Sequence, residues 1–221
     1  VTEIVSQWND TTKMVFVTTP NNPTGHSFDM THIERLIAAT AGKGIVVIDA
    51  AYAEFADPEA IMALRRNDHV VVLRTLSKAY GLAGARCGSL IADPCIINLA
   101  EKVMPPYAVP TPTVEKATAA IASEAFSIMP NRIRALCEER ERVRGALSAM
   151  ANVEYIWPSD ANFLLVTFTD ADNVMQRAHD AGFLLRDFSQ QPATLNSVRI
   201  TIGERSANDA LLRAIASGDH S

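Results

Sequence analysis

Two uninterrupted apolar runs constrain the fold of this chain more than any other feature of its sequence. They are residues 44–49 (GIVVID) and residues 69–74 (HVVVLR). A strand without polar alternation is typical of a parallel sheet that is covered by helices on both faces. Residues 14–18 (MVFVT) and 86–92 (RCGSLIA) indicate two more strands, and helix-like segments separate the runs. The sequence therefore predicts a three-layer α/β architecture with a mostly parallel sheet.

The pattern changes in the last third of the chain. Two strand-like segments, residues 162–168 and 198–202, enclose a helix-like segment at 172–181, and a last helix is expected at 206–216. We interpret this part as a small α+β unit. A proline-dense linker, residues 104–112, resists regular structure ahead of it.

A charged stretch, residues 138–142 (EERER), lies within a long predicted helix. We expect it to form a solvated face of that helix. Glu138 and Arg142 have the i,i+4 spacing of a helical ion pair.

Composition excludes several classes of function. The chain has 221 residues, 48% of them hydrophobic and 20% charged, with a net charge of −5. This mild acidity provides no basic footprint for nucleic acid or an anionic membrane, and no apolar run approaches the roughly 20 residues that span a bilayer. The three cysteines form no C-x-x-C pair, so we expect reduced thiols, no metal site and a cytoplasmic protein.

Three polar segments follow predicted strands, where ligands bind in open α/β sheets. They are residues 20–25 (PNNPTG), 49–52 (DAAY) and 75–86 (TLSKAYGLAGAR). Each also has an ordinary structural explanation. The first could be a tight turn, Asp49 could cap a helix, and the third could be a polar loop whose cations face solvent.

Taken together, these segments resemble the pyridoxal phosphate site of the fold type I aminotransferases, in the class II group. The finer similarity is to the histidinol-phosphate aminotransferases. It covers nearly the whole chain, in the correct order, through the stretches PNNPTG, TLSKAYGLAGARCG, PPYAVPTPTVEKA, SDANFLLV, LLRDFSQQP and VRITIG.

The resemblance implies a role for each polar residue around the cofactor ring. Lys78 would form a Schiff base with pyridoxal phosphate and then move a proton during the reaction. Asp49 would keep the ring nitrogen protonated, so that the ring accepts electrons better. Asn22 and Tyr52 would hydrogen-bond the 3-oxygen of the ring.

It also implies a phosphate site formed by Ser77 and Arg86, with Thr75 assisting. Arg86 would make a charge-assisted contact. Ala50 departs from the family pattern, because many relatives carry glutamate there. We expect this difference to leave the chemistry intact.

Substrate recognition is expected from other parts of the chain. Arg199 matches the family arginine that binds the anionic end of the substrate, and an arginine within an apolar strand is costly without an anion. Arg186 matches a second arginine, associated with the substrate phosphate, and Tyr107 is a candidate for the pocket wall. Arg199 could instead be an exposed position on an edge strand, and Arg186 could pair with its neighbour Asp187 on a surface loop.

The implied activity is amino transfer between histidinol phosphate and 2-oxoglutarate, in histidine biosynthesis, by a homodimer. Two alternatives share the fold: an aromatic amino acid aminotransferase and a threonine-phosphate decarboxylase. A third alternative is a non-enzymatic fragment. Members of the family are longer and this chain begins without Met, so we expect it to lack an N-terminal portion. Residues 1–145 would then be the later part of the cofactor domain with its connecting helix, and residues 146–221 the small C-terminal domain.

Overall fold

The computed structural model describes residues 1–122 and 124–216. The chain forms two compact units. The first comprises Val1–Pro20 and Ser27–Asn131, and the second comprises Asn21–His26 and Arg132–Ser221. Residues 217–221, at the end of the predicted C-terminal domain, lie outside the described part of the chain. The functional division at residue 145 stays a prediction.

Within the described residues, the first unit contains four strands and five complete α-helices. In chain order its elements are α1 (Thr2–Gln7), β1 (Met14–Thr18), α2 (Met30–Thr40), β2 (Ile45–Asp49), α3 (Pro58–Ala63), β3 (Val70–Thr75), β4 (Gly88–Ile91), α4 (Pro94–Glu101) and α5 (Thr111–Ala122). The helix α6 (Glu124–Ser148) begins in this unit and continues into the second.

The sheet of the first unit has the order β1-β2-β3-β4. The strands β1, β2 and β3 are parallel, and β4 is antiparallel to β3. Val46, Ile48, Val70 and Val72 are completely buried. The predicted mostly parallel sheet is confirmed, because the two apolar runs are its two central strands.

Helix α2 shows why the flanking segments fold as they do. Asp29 caps the helix by accepting a hydrogen bond from the Thr31 amide, which satisfies one of the free N–H groups of the first turn. Ile33, Leu36 and Ile37 follow at helical spacing and are buried in the same core as the sheet.

The second unit is built on an antiparallel sheet. Its elements after α6 are β5 (Val153–Ile156), β6 (Phe163–Phe168), α7 (Ala171–Asp180), β7 (Arg186–Asp187), β8 (Ser197–Thr201) and α8 (Arg205–Ala216). The sheet order is β5-β6-β8-β7, with every pairing antiparallel. The predicted α+β character is confirmed. The edge strands β5 and β7 were not predicted, because they are short and largely exposed.

The predicted ion pair between Glu138 and Arg142 is wrong. Arg142 instead pairs with Glu139 at 2.6 Å and with Asp209 of α8 at 2.7 Å. Glu139 also accepts a hydrogen bond from the buried Asn208. Helix α6 therefore packs against α8 through part of the face that the sequence alone assigned to solvent.

No helix within residues 1–122 or 124–216 is long and apolar enough to cross a membrane.

The Glu139 network predicts a loss of stability in acid. The hydrogen bond from Arg142 lowers the pKa of Glu139 from its usual 4.5 to about 2 in the folded chain. The unfolded chain therefore takes up this proton first as the pH falls. The stabilisation is complete above about pH 4.5 and disappears toward pH 2. We expect it to be on the order of 1 kcal/mol, since solvent partly screens the pair.

The measurement is the free energy of unfolding in urea at about pH 7 and about pH 3. Glu139→Gln should reduce the difference between the two values, and Glu138→Gln, which removes the neighbouring exposed carboxylate, should not. Equal pH dependence in the two variants would contradict the assignment.

Candidate active site

Asp49 is the last residue of β2 and lies in register with Thr18 of β1 and Leu73 of β3. Its side chain is half-buried, and Oδ1 accepts a hydrogen bond from the Ala51 amide at 3.1 Å. This bond stabilises the turn that leaves the strand. Asp49 does not cap a helix, because the short helical turn that follows, Ala53–Phe55, has Tyr52 at its N-cap. The bond to Ala51 occupies only one carboxylate oxygen of Asp49.

Tyr52 and Lys78 come together beyond the ends of β2 and β3. The Nζ atom of Lys78 lies 5.2 Å from the centroid of the Tyr52 ring, which is within the range of a cation–π contact. Tyr52 is buried, whereas Lys78 is exposed. The amine of the exposed Lys78 thus contacts the ring of Tyr52, which is fixed by its burial in the core.

Hydroxyl groups shape the segment between β3 and Lys78. The Ser77 amide donates to Thr75 Oγ1 at 3.1 Å, and the two hydroxyl oxygens are 2.8 Å apart. The Leu76 amide donates to the Cys87 carbonyl oxygen at 3.1 Å. The two bonds between Thr75 and Ser77 bring their hydroxyls into one turn directly after β3. The third bond joins this turn to the residue that precedes β4.

Arg86 and Tyr107 are on the surface of the first unit. Arg86 is exposed, and its guanidinium donates to the Ala83 carbonyl oxygen at 3.1 Å. Tyr107 is 99% exposed. The structure thus brings Tyr52 and Lys78 into contact, and likewise Thr75 and Ser77. It gives Tyr107 no pocket within this unit, and the role of Tyr107 stays a prediction.

A second group of predicted residues lies in the second unit. The guanidinium of Arg199 donates to Asn22 Oδ1 at 2.6 Å. It lies 4.9 Å from the ring centroid of Phe163 and 6.0 Å from that of Phe188. Arg199 Nε is buried and has no hydrogen-bond partner within residues 1–122 and 124–216. A buried donor without an acceptor is costly, so this guanidinium is suited to an anionic ligand.

Arg186 is opposite Arg199 in the antiparallel pairing of β7 with β8. It is exposed. Like charges that face each other directly across two strands are destabilising, and an anion that contacts both guanidiniums would offset this repulsion. The sequence did not predict this arrangement, because β7 has only two residues.

The turn that carries Asn22 is fixed through Gly25. The Gly25 amide donates to the Asn21 carbonyl at 2.7 Å, and the Gly25 carbonyl accepts from the Asp160 amide at 2.8 Å. The φ angle of Gly25 is +80°, and a Cβ there would lie 2.2 Å from Ser159 Oγ. The turn therefore needs glycine for two reasons, its left-handed backbone and its close contact with residues 159–160.

An ion pair close in sequence to Tyr52 and Lys78 was not predicted. Arg74 donates to Glu54 at 2.6 Å, and their side chains are 20% and 7% exposed. One signal could have indicated it: Arg74 is a cation at the end of an apolar strand, where a charge needs a partner. Its partner is 20 residues away in sequence, so no local spacing pointed to Glu54.

The cysteines Cys87, Cys95 and Cys137 are free thiols. Within the two described ranges, no group of three or more His, Cys, Asp or Glu side chains is placed to hold a metal ion.

Comparison with known proteins agrees with these features. The sequence profile of the family "Aminotransferase class I and II" matches residues 3–215. The chain belongs to this family, and its fold is that of the fold type I pyridoxal-phosphate-dependent aminotransferases.

Among individual relatives, the chain is 43% identical over 204 residues to the histidinol-phosphate aminotransferase of Xanthomonas euvesicatoria. It is 40% identical over 208 residues to that of Salmonella choleraesuis. These alignments cover 92% and 93% of this chain but only 56% and 58% of the relatives.

A solved histidinol-phosphate aminotransferase from Sinorhizobium meliloti, in complex with pyridoxal-5'-phosphate, matches with a TM-score of 0.78 at 26% identity. This match covers 92% of this chain and 56% of that one.

The close contact at Gly25 predicts that Gly25→Ala destabilises the second unit by about 1–3 kcal/mol, since the new methyl group meets Ser159 and the backbone is left-handed. Gly182→Ala is the matched control. It has a φ of +84° in the same unit, with open space around the added Cβ.

Urea unfolding of both variants measures the difference. We expect the control to lose clearly less stability, because it carries the backbone strain without the steric clash. Equal losses would show that contact with residues 159–160 is unimportant.

Proposed function

We propose that this chain catalyses pyridoxal-phosphate-dependent amino transfer between histidinol phosphate and 2-oxoglutarate. Family membership supports the reaction type, and the two relatives at 40–43% identity support the substrate. Since the chain spans 56–58% of their length, the activity of those relatives is proposed for it and not transferred outright. The observation that carries the proposal is the exposed Lys78 amine resting on Tyr52, beyond the strand that ends at Asp49.

The donor set of the first unit is chemically suited to pyridoxal phosphate. A primary amine, a carboxylate at a strand end and a phenol are the groups that this cofactor needs around its aldehyde, ring nitrogen and 3-oxygen. Lys78, Asp49 and Tyr52 supply them. When bound, the cofactor supplies an electron sink for the substrate carbon that loses its proton.

Each residue of this chain has a defined task in the proposal. Lys78 would hold the cofactor covalently, and its free amine would move a proton at the substrate α-carbon. Asp49 would keep the ring nitrogen protonated. Tyr52 and the side chain of Asn22 would hydrogen-bond the 3-oxygen.

We assign the phosphate to the hydroxyls of Ser77 and Thr75 and to Arg86. The Thr75–Ser77 turn places two hydroxyls together, which supports this assignment. Arg86 lies in the same loop with an exposed guanidinium, and charge-assisted bonds from guanidinium to phosphate are strong.

We assign the anionic groups of the substrate to Arg199 and Arg186, with Tyr107 as a further contact. The opposed arginines of β7 and β8 support this assignment, as does the buried Nε of Arg199, which has no partner among the described residues. We further propose that the protein is a homodimer in the cytoplasm, as the resemblance implies.

The cofactor assignment predicts a covalent adduct at Lys78. The chain is mixed with pyridoxal phosphate, reduced with borohydride and digested, and the modified peptide is identified by mass spectrometry. We expect the adduct on Lys78 and its loss in Lys78→Ala. Lys43→Ala, which removes another exposed lysine, should retain it. Adducts spread over several lysines would contradict a specific site.

The substrate assignment predicts faster amino transfer to 2-oxoglutarate from histidinol phosphate than from phenylalanine. Arg199→Gln should raise the KM for histidinol phosphate by about ten- to a hundredfold, the range expected when a hydrogen bond between charged groups is lost. Steady-state kinetics on both donors provide the measurement. Faster turnover of phenylalanine, or release of carbon dioxide from threonine phosphate, would overturn the substrate assignment.

A further inference from the structure

The Glu54–Arg74 ion pair connects the two segments that carry Tyr52 and Lys78. Glu54 lies in the short helical turn Ala53–Phe55, two residues after Tyr52. Arg74 lies in β3, four residues before Lys78. Their contact at 2.6 Å therefore joins the turn after β2 to the end of β3, from which the Lys78 segment leaves.

This pair is poorly suited to a purely stabilising role. Both side chains are mostly withdrawn from solvent, and Arg74 Nε is buried without a hydrogen-bond partner in the part of the chain that the structure describes. A buried ion pair regains its desolvation cost only when its remaining hydrogen-bonding groups are satisfied. The best-attested use of such a pair is to specify one arrangement of the chain among several.

The surroundings of the pair extend to the Lys78 segment. Glu54, Arg74 and Tyr80 line one cavity of about 290 Å³. Burial and the Glu54 carboxylate raise the pKa of the Tyr80 phenol. The ring of Tyr80 also stacks on Phe126 with a centroid distance of 6.4 Å. Arg74 is four residues before Lys78 and Tyr80 is two residues after it, so the chain on both sides of the lysine lines this cavity.

We propose that Glu54 and Arg74 are positioning residues that hold the Lys78 amine against the Tyr52 ring. The catalytic meaning of this arrangement rests on the proposed function, in which both side chains contact the cofactor. The arrangement itself requires no cofactor. Without the carboxylate, the turn after β2 loses its ionic connection to the end of β3, and the 5.2 Å contact between Tyr52 and Lys78 loses its support.

The test measures the reactivity of Lys78 without any cofactor. The chain is treated briefly with an acetylating reagent, and the modified fraction of Lys78 is measured by peptide mass spectrometry. We expect Glu54→Ala to raise the rate of Lys78 acetylation about threefold, the change expected when an exposed cation–π contact is lost. Tyr52→Ala, which removes the ring, should produce the same rise. The double variant should produce no further increase, because both changes remove one contact.

Glu34→Ala is the matched control, because Glu34 forms a surface pair with Arg66 at 2.8 Å in the same unit. It should leave Lys78 acetylation unchanged. Glu54→Gln, which keeps the shape and a neutral hydrogen bond, should produce a smaller rise, and it replaces Glu54→Ala if circular dichroism shows that the alanine variant is unfolded.

Two results would overturn the proposal: acetylation in the Glu54 variants that equals the control, or effects of Glu54→Ala and Tyr52→Ala that multiply. Borohydride trapping of pyridoxal phosphate on the same variants provides the separate readout. Wild-type chain that traps no cofactor would refute the proposed function, while the acetylation rates would still decide whether the ion pair positions Lys78.

Discussion

The parallel pairing of β1, β2 and β3 is the constraint on which the first unit depends. The inner residues of β2 and β3 are completely buried, so neither strand can slip in register without exposing apolar side chains or burying polar ones. In this register Thr18, Asp49 and Leu73 lie side by side on neighbouring strands. The polar segments after β2 and β3 must leave from the same edge of the sheet, and there Tyr52 meets Lys78.

Two arginines, one in each unit, show how the surroundings of a guanidinium indicate its role. Arg74 is paired with a carboxylate that is almost completely buried, so its charge is balanced inside the protein. Arg199 instead contacts aromatic rings and the neutral side-chain amide of Asn22. The surroundings of Arg74 are typical of an ion pair within the protein. The surroundings of Arg199 support the anion-binding role that is proposed for it.

Much of the fold and most of the candidate residues could be predicted from the sequence. The apolar runs identified the central strands, and six ordered motifs indicated the family to which the chain belongs. The errors have a common cause, which is contact between residues that are distant in sequence. Arg142 pairs with Asp209 of α8, the strand β7 exists only through its pairing with β8, and Glu54 contacts Arg74 across 20 residues.

The sequence by itself determined the alternation of strands and helices, the glycine at the left-handed position of the turn that carries Asn22, and the chemical groups available to a cofactor. These features depend on local backbone preference and on side-chain type. Only the tertiary structure decided which groups meet. Tyr52 lies under Lys78, Arg199 reaches Asn22 across 177 residues, and Arg186 faces Arg199. Such contacts depend on strand register and on the burial of side chains far apart in the chain, and no local pattern encodes them.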